Sequence, residues 1–123
     1  MNLFLTEIGA EEELIVGGQA YLGCAITFRI PAGTIAEHRG PLTAALEYAL
    51  PNVQVWPYIP AETPHTPAVI LRRNAHAARA TMEGVTQPSM DAICVTDMAD
   101  VTRTADMDDL VDLVVDALRS VDL

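Results

Sequence analysis

The sequence predicts an α+β fold: a single small domain with a mostly antiparallel or mixed β-sheet, flanked by a short central helix and a C-terminal amphipathic helix. Three observations carry this. Residues 110–121 place Leu110, Val111, Val114, Val115, Leu118 and Val121 at helical spacing. Residues 19–30 and 52–56 alternate with a period of two, as strands do. A continuous apolar run, PAVIL at 67–71, has the composition of a strand buried on both faces. At 123 residues the chain is one domain by length. It can bury about two-thirds of its unfolded surface. Half of it is hydrophobic but only 5% aromatic, so an aliphatic core is expected.

In order along the chain, residues 1–9 (MNLFLTEIG) are apolar with a polar break and too short to assign alone. Glu11, Glu12 and Glu13 lead into Leu14–Val16 and the turn-forming pair Gly17–Gly18. From Gln19 to Ile30, one face carries Tyr21, Ala25, Thr27 and Arg29 and the other Leu22, Cys24, Ile26, Phe28 and Ile30. A half-buried strand pairing back on residues 13–17 through the Gly-Gly turn follows. Residues 34–40 are either a helical turn or linker.

Leu42, Ala45, Leu46, Ala49 and Leu50 form one apolar helical stripe, with Pro41 suited to the first turn and Pro51 closing the helix. Asn52 opens a strand with Val53 and Val55 on one side and Gln54 and Trp56 on the other. Pro57, Pro60, Pro64 and Pro67 then stiffen an extended connection. Residues 74–83 are alanine-rich, a helix stopped by Gly84 or a loop. A last strand, Ala92–Val101, sets Ala92, Cys94, Thr96 and Met98 on one face. Thr104 or Asp106 is the expected cap of the closing helix. Asp106, Asp108 and Asp109 in its first turn and Arg119 in its last suit the helix dipole.

Seven basic residues, all arginine, stand against 17 acidic ones, a net charge of −10. That field repels phosphate and argues against a sequence-driven grip on nucleic acid. The acidity is uneven: all eight Glu lie at or before Glu83 and all nine Asp at or after Asp91. Arg72, Arg73 and Arg79 with His76 make the one basic island, either a solvated segment or a contact for an acidic neighbour. No apolar run reaches the ~18 residues of a membrane span. A basic leader is also lacking, so a soluble, cytosolic chain without a membrane partner is expected.

No catalytic, cofactor-binding or metal-ligating residue is assigned. His38, His65 and His76 are far apart and lack any ligand spacing. Asp97, Asp100, Asp106, Asp108 and Asp109 lack the Gly and Glu of a calcium loop and read as caps and solvated acids. No phosphate-binding glycine loop occurs. Ser89 and Ser120, the two serines, sit outside any GxSxG, which argues against a serine hydrolase. Cys24 and Cys94 lie in apolar runs and read as buried thiols, with one disulfide left open.

The helix at 41–50, NVQVWP, the proline-rich connection, PAVIL, a later strand and the closing DLVDLVVDAL helix follow one another in an order that resembles the tail terminator proteins of long-tailed phages. The resemblance covers residues 41–121, the terminator-like core of a single 1–123 domain. Residues 1–40 are then a hairpin extension, because the family opens with the helix. That departure leaves another neck component, a head-closure or adaptor protein, as an alternative. A small protein-binding domain, or an enzyme whose site forms only in an oligomer, are the readings outside this class.

The resemblance implies a non-enzymatic virion protein assembled in the host cytoplasm. It implies a homo-oligomeric ring, a hexamer, between the tail tube protein and the head-closure or connector protein. DNA passes through the lumen without specific binding, where an acidic wall lowers adhesion. Within such a ring, Trp56, Tyr58 and Ile59 among the prolines form a pre-ordered apolar surface expected at a subunit or partner interface. Arg72 and Arg73 either face a neighbour's Asp-rich third across each subunit contact or, the reading favoured because nine Asp outnumber the arginines, leave that acidic surface to the lumen.

Overall fold

A computed structural model describes residues 3–30, 33–74, 89–98 and 103–122, without the side chains of 103–105. Among these residues the elements run β1 (Phe4–Ile8), β2 (Glu12–Val16), β3 (Gln19–Arg29), α1 (Ile35–Ala49), β4 (Gln54–Trp56), β5 (Ala68–Arg73), β6 (Ser89–Asp97) and α2 (Arg103–Ser120). All six strands join one mixed sheet ordered β1-β3-β6-β5-β4, with β2 also on β3. The α+β class is therefore as expected.

The long strand β3 is the hub. One edge pairs antiparallel with β6 from Tyr21 to Arg29. The other edge is shared: β1 covers Ile26–Arg29 and β2 covers Gln19–Gly23. Gly17 and Gly18 close the β2–β3 hairpin with φ of 59° and 79°. Positive φ at both central residues makes this the two-residue turn whose twist matches the flanking strands. The hairpin is thus no appendage. Its strand β3 lies within the same sheet that β4, β5 and β6 complete, and β1 extends it.

Both helices cover one face. Cys24, Ile26 and Phe28 of β3, with Ile30 just beyond its end, meet Val69 and Leu71 of β5, and Met90, Ala92 and Cys94 of β6, beneath Leu42, Leu46, Met107, Val114 and Leu118 of the helices. The second face holds a smaller core of Val16, Tyr21, Ala68, Ile70, Ile93 and Val95. Ala68–Leu71 are fully buried, as a strand with cores on both sides requires.

Three expectations need correction. Helix α1 starts at Ile35, not Pro41, because Thr34 caps it by accepting a hydrogen bond from the Glu37 amide at 3.2 Å. Pro41 lies inside the helix, where its missing N–H leaves one turn bond unmade. Helix α2 starts at Arg103, so Thr104 and Asp106 are helical residues rather than caps, and of the acids only Asp106 falls in the first turn. Strand β6 ends at Asp97, short of Val101. The alanine-rich segment with His76 and Arg79 lies outside the described residues.

Candidate assembly surfaces

Trp56, Tyr58 and Ile59 divide between two roles. Trp56 ends β4 half-buried, packs on the smaller core and donates its indole N–H to Gln54 Oε1 at 2.8 Å. The same oxygen accepts the His65 amide at 2.8 Å, so Gln54 ties both ends of the connection together. Tyr58 stacks edge-on to Trp56 with ring centroids 6.2 Å apart and, like Ile59, is at least half exposed. Trp56 is the anchor, and Tyr58 and Ile59 are what the anchor presents.

The connection is held at four further points. Pro57 has no N–H to extend the β4 ladder. Instead, the Arg39 guanidinium of α1 donates to the carbonyls of Pro57 and Leu71. The Tyr21 hydroxyl donates to the Pro64 carbonyl, and Gln54 donates its amide to the Pro67 carbonyl at 3.1 Å. Backbone of Glu62 and Thr63 approaches Gly17 so closely that a Cβ there would lie 2.6 Å from it. Arg39 escaped the sequence reading because its partners are backbone carbonyls distant in the chain. A helical reading of 34–40 would have placed it on the same side as Leu42 and Leu46.

Arg72 and Arg73 point to opposite faces of β5, as neighbours in a strand must. Arg72 Nε meets Asp91 Oδ2 at 3.0 Å within its own chain. Asp91 is 3% exposed, and its other oxygen accepts from Thr27 Oγ1 and Asn74 Nδ2, each at 2.8 Å. Three groups, from β3, β5 and the residue after β5, thus close around one buried carboxylate of β6. Of the two arginines, Arg72 is committed to an ion pair within the chain while its side chain stays partly exposed, and Arg73 is exposed.

Further apolar groups stand along the opposite outer edge: Phe4, Ile8 and Ile15 of β1 and β2 are each more than half exposed. The Arg29 guanidinium lies 5.8 Å from the Phe4 ring centroid, within cation–π range. This edge is broken by a register shift between Leu5 and Glu7 and carries Glu7, Glu12 and Glu13. Bulges and charges of that kind discourage another strand from adding.

The cysteines are opposed in register on β3 and β6, both buried and reduced. Burial pushes both thiols up, with Glu11 and Asp108 adding to the shift at Cys24 and Cys24 adding to it at Cys94. A thiol held protonated is a poor nucleophile. Among the described residues no group of His, Cys, Asp or Glu is placed to hold a metal ion, and no helix is long and apolar enough to cross a membrane. No family model, curated protein or solved structure matches the chain.

Proposed function

We propose that this chain is the repeating subunit of a homo-oligomeric ring of the phage tail terminator kind, capping the head-proximal end of the tail tube and joining it to the head connector. The observation that carries this reading is the presence of two unlike apolar surfaces on opposite flanks of one sheet. Tyr58 and Ile59 stand on the braced connection leaving β4; at the β1–β2 edge Ile8 and Ile15 stand on the helix-bearing face and Phe4 on the other. Unlike surfaces on opposite flanks suit head-to-tail contacts, which close into a ring when the rotation allows. The bulged, acidic β1–β2 edge and the three-residue β4 favour side-chain packing over strand addition, which counts against a sheet-edge adaptor. On α2, Asp108, Asp112 and Asp116 form an exposed acidic stripe suited to a lumen that DNA crosses without sticking.

Light scattering and negative-stain imaging test the ring directly. The expected result is an annular particle with a mass near six times 13.2 kDa. The ring should also bind the ends of tubes grown from the tail tube protein and stop their elongation. A monomer at every concentration overturns the proposal. A ring that leaves tube growth unaffected instead selects the head-closure or adaptor alternative.

A further inference from the structure

The two flanks of the sheet differ in charge as well as in shape. Strand β4 pairs with β5 only as far as Ile70, so Leu71–Arg73 form the outer margin of the sheet there. Arg73 shares the helix-bearing face with Leu71, two residues before it. Arg39 reaches the same margin from α1, donating to the carbonyls of Pro57 and Leu71. Its bonds draw together the start of the Tyr58–Ile59 surface and the end of β5. Among the described residues neither Arg39 nor Arg73 meets a carboxylate. This flank is cationic and apolar.

The β1–β2 edge is apolar too but carries the opposite charge. Ile15 and Glu13 lie opposite Ala20 and Leu22 of β3, and Ile8 lies opposite Ile26, which sets all three on the helix-bearing face. Glu11 acts on the Cys24 thiol and so stands on that side as well, between Glu13 and Ile8. Read along this side, the edge presents Ile15, Glu13, Glu11 and Ile8, all exposed. The sequence has no basic residue before Arg29, and among the described residues no arginine pairs with either glutamate. Exposed acids alone are ordinary solvated groups. Beside exposed isoleucines, and opposite a flank of arginines with an exposed tyrosine and isoleucine, they complete a surface complementary in charge and polarity.

Given the ring reading, on which this rests, we infer that Arg39 and Arg73 of one copy meet Glu11 and Glu13 of the next, with Tyr58 and Ile59 packed on Ile8 and Ile15. The acids that the arginines meet are thus the N-terminal glutamates and not the Asp-rich third. Copies related by rotation about a ring axis keep the same sheet face toward that axis. The helix-bearing side of one flank therefore adjoins the helix-bearing side of the other, and all four charges stand on that side. Helix α2 packs on β6 and β3, inside both flanks. A neighbour's arginines reach the glutamate edge before they reach the aspartates of α2.

Sedimentation velocity over a concentration series tests the pairing with three variants of the full chain. Arg73→Glu, and separately Glu11→Arg with Glu13→Arg, should each need about tenfold more protein to form rings, because like charges then adjoin. All three positions are exposed, so the melting temperatures should stay near that of the wild type. Mixed one to one, these two variants should assemble as the wild type does. An alternating ring with an even number of subunits then has opposite charges at every contact. The comparison is Arg73→Glu mixed with Asp108→Arg and Asp112→Arg together, which should gain nothing. Variants that assemble like the wild type, no rescue by the glutamate variant, or rescue by the aspartate variant would each overturn the inference while the wild-type ring stands. A wild-type monomer at every concentration removes the ring reading and this contact with it.

Discussion

Gly17 is held by two independent constraints, and Gly18 by one. Both have positive φ, but a Cβ at Gly17 would strike the backbone of Glu62 and Thr63, whereas nothing lies within 4 Å of one at Gly18. Gly18→Ala should therefore cost roughly 1–2 kcal/mol of left-handed strain. Gly17→Ala should cost at least about 1 kcal/mol more, because the connection must move. Urea unfolding of the two variants checks this, and equal losses would mean the connection does not rest on the turn.

The thiols make a second prediction at this scale. A folded thiol raised above its ordinary value of 9.0 favours the folded state while the unfolded thiol is also neutral. That stability is full below pH 9 and is lost as pH rises beyond it, at about 1.4 kcal/mol per pH unit for one thiol. The fall between pH 9 and 10 should be steeper in the wild type than in Cys94→Ala. Parallel curves would show that Cys94 ionises as readily folded as unfolded.

At the scale of elements, α2 was the most legible. Its buried side includes the predicted Leu110, Val114, Val115 and Leu118, with Val111 half-buried and Val121 buried just past its end, and Asp108, Asp109, Asp112 and Asp116 are exposed. Leu118→Ala should cost about 2–5 kcal/mol through lost transfer energy and the cavity left behind. Asp112→Ala should change stability by less than about 0.5 kcal/mol. Similar effects at both positions in thermal unfolding would overturn the assigned face. Helix α1 was legible only in part. Pro41 looked like a start because proline suits a first turn, yet Thr34 and Glu37, three apart, are themselves a start signal. Ala49 of the expected stripe is exposed while Thr43 is buried, its hydroxyl donating to the Arg39 carbonyl.

At the scale of the molecule, the fold changes which substitutions can probe assembly. Trp56 packs half-buried against the smaller core, so Trp56→Ala should lower stability by roughly 1–3 kcal/mol, a part of what truncating a fully buried aromatic costs. Tyr58→Ser with Ile59→Ser should leave the melting temperature nearly unchanged and abolish the ring. Intact rings from the double variant would remove this surface from the interface. Arg72 is likewise a fold residue, since Arg72→Glu would set a second carboxylate against the buried Asp91. Charge reversal belongs at Arg73, which is exposed. If Arg73 meets a neighbour's acids, Arg73→Glu weakens assembly and salt weakens the wild type. An acidic surface lining the lumen instead gives assembly indifferent to salt or strengthened by it.

Periodicity and turn chemistry are local properties, so the sequence alone determined the fold class, the Gly-Gly hairpin, the alternation of β3, the buried PAVIL strand and the acidic outer side of α2. Each follows from spacing within a dozen residues or from the conformations glycine and proline permit. The tertiary structure decided everything that joins distant segments. It made β3 the hub of the sheet, since strand order depends on pairings with residues about seventy positions away. It enclosed Asp91 with Thr27, Arg72 and Asn74, turning an arginine expected at an interface into the partly exposed half of an ion pair within the chain. It also set Thr96 and Asp97 of β6 at one cavity with Asp106 and Asp109 of α2, because a helix laid across a sheet brings together side chains whose separation in sequence has no period to read.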